Sequence, residues 1–282
     1  MNEFDSAVCL AEEGEVMVYF VEELERNSRI NPATGKPYPE DCTVVILEED
    51  ERTDMFCGKD ESEVYTVRIA TGNKNWEMAV GDFIDYARTE NLEAVVCIQK
   101  KLLARVEAVY QGHCCAEKQL RQYEPHFLVH STTYDLGEKI LQDGTLKSWN
   151  CLARENELTE DVPIGRSLGD PHYFSDYIMF SQGEVSSEIV VMSKQAGEVI
   201  MDEDRQYNTG IRFYLDAGAI AEDGLLLRDG VHIKVRDELL LDRYLLWWAD
   251  WKKTGLKEPV STPRIFTERA NATFAKAKGI NL

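Results

Sequence analysis

The chain has 282 residues, 51 acidic against 31 basic side chains, and a formal net charge of −20. Apolar residues make up 44% and aromatic residues 10%, enough to bury a core, which excludes a mainly disordered chain. The excess of acid argues against a general nucleic-acid coat or a polybasic membrane binder. No run approaches the roughly 18–20 uninterrupted apolar residues of a membrane span. The opening MNEFDSAVCLAEEGEV lacks the basic and apolar regions of a signal peptide. These features predict a soluble, cytoplasmic protein of one large or two smaller domains, at roughly 100–200 residues each.

The acid is unevenly spread. Residues 1–63 hold 18 Asp/Glu and 5 Lys/Arg, a net of −13, which leaves −7 for the rest. Such asymmetry fits two parts with different roles, and its plain explanation is a solvated face. The seven cysteines (Cys9, Cys42, Cys57, Cys97, Cys114, Cys115 and Cys151) are odd in number and form no CxxC pair, which predicts reduced thiols. His113 beside Cys114 and Cys115 has no second ligand pair at metal-binding spacing, so no metal is expected. Asn271-Ala-Thr fits a glycosylation sequon that a cytoplasmic chain leaves idle.

In chain order, EVMVYFVEELER reads as partly helical, and NPATGKPYPEDC as a loop dense in turn residues. TVVILEED and EVYTVRIA read as short β-branched strands, and NWEMAVGDFIDYARTEN as a helix. NLEAVVCIQKKLLARVEAVYQ fits either a strand followed by a helix or one long helix. Beyond Pro125, HFLVHSTT is an apolar strand ending in hydroxyls, and TTYDLGEKILQDGTLKS is a helix closed by Gly144. A polar stretch running to DYIMF follows, then SEIVVMS as a strand and GIRFYLDAGAIAEDG as a strand and short helix. RDGVHIKVRDELLLDRYLLWW is a turn, a strand and an apolar segment, and the end is a polar tail with one final helix. The domain boundaries read as 1–121, 122–250 and 251–282.

The order of motifs in 126–245 carries the chemistry. A strand ends in His130-Ser131-Thr132, "EKILQDG" follows, then VPIGRS and DYIMF, and last EDGLLLRDGVHIKV with DRYL. This order resembles the ADP-ribosyltransferase fold, in particular the DarT-type DNA ADP-ribosyltransferases and the tRNA 2′-phosphotransferases. The resemblance covers roughly 120 residues and implies an α+β chain: a C-terminal split β-sheet that binds NAD, preceded by an acidic N-terminal α/β extension. It also implies transfer of ADP-ribose from NAD, as a substrate, to a nucleic-acid or protein acceptor. The alternatives are RNA 2′-phosphate transfer to NAD, or a catalytically silent binding module on the same fold.

Cleaving the nicotinamide–ribose bond builds positive charge on the sugar, as glycoside hydrolysis does. His130 at a strand end can bond a ribose hydroxyl beside Ser131 and Thr132. Tyr173 and Tyr177 offer rings for stacking on nicotinamide, and Arg166 and Arg228 offer forks for the pyrophosphate. The same tyrosines also fit a helical core stripe, and the same arginines fit an ordinary surface. Most transferases of this fold place a Glu at the start of the last strand; here that stretch reads Arg228-Asp229-Gly230-Val231-His232. The catalytic candidates are therefore His130, Arg228, His232 as a polar contact or proton shuttle, and Glu188 opening an earlier strand.

Overall fold

The computed structural model describes residues 17–25, 27–59, 62–110, 115–158, 163–167 and 169–280, together with the backbone of Val8–Cys9. The chain is a mixed α+β protein whose packing divides it into two units. The first comprises residues 1–115, 168–174 and 227–231, and the second 116–167, 175–226 and 232–282.

In the first unit β1 (Val8–Cys9) and β2 (Val18–Val21) precede a small hairpin of β3 (Ile30–Asn31) and β4 (Lys36–Pro37). Then come β5 (Thr43–Glu48), β6 (Met55–Lys59), β7 (Tyr65–Ala70), α1 (Trp76–Thr89), β8 (Ala94–Cys97) and α2 (Lys100–Tyr110). Six strands form one sheet in the order β1-β2-β8-β5-β7-β6. Neighbours among β2, β8, β5 and β7 run parallel, while β1 and β6 are antiparallel edges. Parallel strands buried on both faces are runs of β-branched and apolar residues, as TVVILE and AVVC are. NLEAVVCIQKKLLARVEAVYQ is therefore a strand and a helix, β8 and α2.

Within EVMVYFVEELER the described residues, 17–25, form no helix: Val18–Val21 is a buried strand paired with Ala94–Cys97, and Glu15, Val16 and Arg26 lie outside the described residues. A short apolar run fits a strand and a buried helix equally well, and pairing with β8 decides it.

The second unit begins with β9 (Phe127–Thr132), α3 (Tyr134–Asp143), β10 (Thr145–Lys147), α4 (Trp149–Arg154) and α5 (Ile164–Ser167). It continues with β11 (Tyr177–Phe180), α6 (Ser186–Ala196), β12 (Tyr207–Asn208), β13 (Ile211–Asp216) and α7 (Ala217–Glu222). β14 (Leu226–Arg228) leads into the 227–231 segment of the first unit. β15 (Ile233–Arg236), β16 (Glu238–Leu240), α8 (Leu241–Tyr244), β17 (Leu245–Ala249), β18 (Val260–Ser261) and α9 (Pro263–Lys278) complete the chain. One sheet has the order β17-β13-β9; β11 pairs with β15, and β10 with β16.

Two expectations for this part are corrected. SEIVVMS is not a strand but lies in the eleven-residue helix α6, which ends at left-handed Gly197. Its apolar run is one face of that helix: Glu188, Ile189, Val191, Met192 and Ser193 are buried, and Lys-Gln-Ala extends the helix to the glycine. The expected final helix is present as α9, but the described residues 251–280 are packed into the fold rather than forming a polar tail. The Thr262 hydroxyl caps α9 by accepting from the Ile265 N–H, Pro263 opens the helix, and Gly279 closes it. Phe266, Ala270 and Phe274 are buried, and the Phe274 ring stacks on Tyr214 at 4.1 Å.

Gly210, just before β13, is required by close approach. A Cβ there would sit 1.7 Å from the Thr132 carbonyl oxygen.

Candidate functional site

β9 is an edge strand of its sheet. It meets the residue just after β11 at an isolated bridge, where Val129 and Ser181 exchange N–H···O bonds of 2.9 Å in both directions. Because Val129 bonds outward there, the alternation of an antiparallel ladder turns the N–H and C=O of Ser131 to the same outer edge. Past that bridge the two strands separate around a cavity of about 390 Å³. Its walls come from β9, α3, β10, α4, β11 and α6, all in the second unit.

His130 stands in this gap, half-buried on the cavity wall. Its Nδ1 lies 3.3 Å from the Met179 carbonyl oxygen. A carbonyl only accepts, so Nδ1 carries the proton and Nε2 is left as an acceptor. Burial holds the imidazole below its ordinary value; the Met179 carbonyl opposes that shift, and Lys194 reinforces it. The ring is neutral at physiological pH. Phe180, also on the wall, sets its ring edge-on to His130 at 6.3 Å.

Ser131, the next wall residue, is tied to a buried charge network. Its hydroxyl donates to Glu188 Oε1 at 2.6 Å, and Arg212 Nη1 reaches the same oxygen at 3.2 Å. Tyr207 donates its hydroxyl to Glu188 Oε2 at 2.7 Å; burial and the adjacent carboxylate push that phenol well above its usual range, so it keeps its proton. Glu188 and Arg212 are both fully buried. The remaining guanidinium donors go to the carbonyls of Gly183 at 2.8 Å and Glu184 at 3.2 Å and to the Tyr214 hydroxyl at 3.2 Å. Asn271 donates its amide to Gly183 as well, so the side chain of the sequon is committed inside the fold. With its proton on Glu188, Ser131 Oγ offers lone pairs.

The cavity brings together His130, Ser131, Thr132 and Tyr177 from the sequence-derived candidates. The others are not on its wall. Glu188 lies behind the wall rather than on it: it opens a helix, and both of its oxygens serve Ser131, Arg212 and Tyr207. Tyr173 belongs to the first unit, where its hydroxyl pairs with Thr43 Oγ1 at 2.7 Å and its ring packs edge-on to Phe174. It packs within that unit as a half-buried residue, and burial pushes its phenol up.

Arg228 is also held in the first unit, buried, with its N–H on the Cys115 carbonyl at 3.0 Å. The following turn lies so close to α1 that a Cβ on Gly230 would meet the Ala79 carbonyl oxygen at 2.2 Å. His232 lies between β14 and β15, and Arg166 on the four-residue helix α5; neither reaches the cavity.

Tyr177 keeps its place on the wall but not its expected freedom to stack. Its hydroxyl accepts from Arg236 at 2.7 Å, and its ring lies under the Lys234 ammonium at 4.7 Å and the Arg236 guanidinium at 5.0 Å.

Sequence reasoning missed the cationic wall residues Lys139, Lys147 and Lys194, and the aromatic Trp149. Lys139 had a readable signal, one turn beyond Asp135 on a helix that starts at the His-Ser-Thr strand. Lys194 had none once its segment read as a strand.

Among the described residues no group of three or more His, Cys, Asp or Glu is arranged to hold a metal ion. His113 and Cys114 lie outside them. Among the same residues no helix is long and apolar enough to cross a membrane. Comparison with protein-family models, curated proteins and solved structures returns no match for this chain.

Proposed function

We propose that the cleft between β9 and β11 binds NAD and that the chain transfers ADP-ribose from it to a macromolecular acceptor. The observation that carries this reading is the pairing of Ser131 and His130 at the split. Ser131 turns an N–H and a C=O toward the gap, a donor and an acceptor spaced for a carboxamide. Beside it, His130 Nε2 is an acceptor suited to a ribose hydroxyl. The cavity volume of about 390 Å³ falls in the range of small-molecule pockets, roughly 300–1,000 Å³.

In the reaction the bond between ribose C1′ and the nicotinamide nitrogen breaks, and its electron pair leaves with nicotinamide, which becomes neutral. The acceptor atom then bonds C1′ and gives up its proton. The residues of this chain hold the two ends of that bond, fix the sugar and limit water, which are the positioning contributions such a transfer needs.

Isothermal titration with NAD, paired with measurement of nicotinamide release, tests the reading. Binding that weakens at least tenfold in His130→Ala supports it, and absence of NAD binding overturns it. Binding without nicotinamide release, across nucleic-acid and protein acceptors, favours a silent nucleotide-binding module instead. One observation points that way: Glu188, the buried acid nearest the site, is neutralised by Arg212 at 3.2 Å.

A further inference from the structure

We infer that the same cavity carries a phosphate-binding subsite formed by Lys139 and Lys147, which Glu157 occupies from within the chain. Lys139 is on α3, Lys147 ends β10, and Glu157 follows α4. All three line the cavity. Glu157 Oε2 is 2.9 Å from Lys139 Nζ and 3.9 Å from Lys147 Nζ. Two ammonium groups on separate elements thus converge on one carboxylate oxygen, the arrangement a phosphate oxygen would take. Asn156, in the left-handed conformation at φ 58°, turns the chain so that Glu157 returns to the wall.

The occupant is weakly held. Lys139 is 46% and Glu157 33% exposed, and partly solvated pairs of this kind contribute little to stability. Lys147 is more enclosed, at 17%; its closer partner is Glu155, with Glu157 farther off at 3.9 Å. A diphosphate brings more charge and more acceptor oxygens than a carboxylate, and it satisfies both ammonium groups without straining a loop. Arg166 and Arg228 lie off the wall, and Lys194 lines it from α6, so Lys139 and Lys147 are the two wall cations that share one carboxylate oxygen, the pair assigned to the diphosphate of a dinucleotide. Naming that ligand rests on the NAD reading; the phosphate subsite itself does not.

The test is isothermal titration of the full chain with inorganic pyrophosphate, ADP-ribose and NAD. It compares wild type, Glu157→Gln and the double variant Lys139→Ala/Lys147→Ala. Removing the competing charge in Glu157→Gln tightens pyrophosphate and ADP-ribose at least threefold, and the double variant weakens both at least tenfold. Unchanged or weaker pyrophosphate binding in Glu157→Gln, or full binding in the double variant, overturns the subsite. Pyrophosphate that follows this pattern while NAD does not bind keeps the subsite and removes the NAD reading. NAD that binds while all three proteins treat pyrophosphate alike removes the subsite alone.

Discussion

Ser131 Oγ lies 2.6 Å from Glu188 Oε1, so a hydroxyl on the cavity wall is fixed by a carboxylate that is itself fully buried. Glu188 in turn shares that oxygen with Arg212, which is equally buried. The pair explains why a charged residue sits in an apolar helix face, and it sets the first prediction. Glu188→Ala leaves the guanidinium buried and uncompensated, which costs about 3–5 kcal/mol. Arg212→Ala costs a similar amount, and the double variant costs less than the sum, because it leaves no lone charge. Chemical denaturation of the three variants checks this; additive losses would mean that the two residues act separately.

His130 gives a pH dependence with a definite sign. Its folded value is depressed by burial, below the ordinary value of about 6.5. Below that value the unfolded chain binds a proton that the native state refuses, so this contribution to stability is full above about 6.5 and is lost as pH falls toward the folded value. Wild type therefore loses more stability than His130→Gln between about pH 7.5 and about pH 5.5. Paired denaturation curves at the two pH values measure the difference, and equal losses count against a neutral, buried imidazole.

The C-terminal helix is predicted to be indispensable to the second unit. Phe274 is 1% exposed and stacked on Tyr214. Removing such a ring costs about 3–5 kcal/mol in lost contacts and an unfilled cavity. Phe274→Ala is expected to lower the denaturation midpoint accordingly, whereas Lys276→Ala, on an exposed position of the same helix, leaves it nearly unchanged. A midpoint unaffected by Phe274→Ala would contradict the packing described.

Thiol reactivity separates the described cysteines by burial. Cys57 is exposed on the edge strand β6, and Cys42, Cys97, Cys115 and Cys151 are buried. Burial pushes the Cys42 thiol up to about 12, with a further push from Glu93, so almost no thiolate is present at neutral pH. Brief alkylation of the native protein followed by peptide mass mapping is expected to mark Cys57 and spare Cys42. Early labelling of Cys42 would contradict its enclosure.

The sequence was most readable where local pattern and tertiary environment agree. TVVILE and YTVRIA carry the apolar, β-branched texture of strands covered on both faces, and the helix before Gly144 announces its own end. Local pattern failed at VYFV and SEIVVMS, where apolar runs of four fit a strand or a buried helix face, and only the partners, β8 in one case and the Glu188 network in the other, decide between them. The misreading of α6 hid Lys194 and changed the meaning of Glu188. The strand end at His130-Ser131-Thr132 was visible because several polar groups close an apolar run. Tyr173 and Arg228 could not be placed from sequence, since their segments, 168–174 and 227–231, pack with the first unit although their neighbours in sequence do not.

Helix α6 faces the cavity through Ser187 and Val190, and on its other side Glu188 binds it to β13 through Arg212. The helix and the central strand of that sheet are thereby a single mechanical piece, joined by a charge pair that is expensive to separate. Any breathing that admits a ligand is then expected from the opposite bank, α3, β10 and α4, where the Lys139–Glu157 ion pair is partly solvated and weakly binding. The pocket has one fixed jaw and one compliant one.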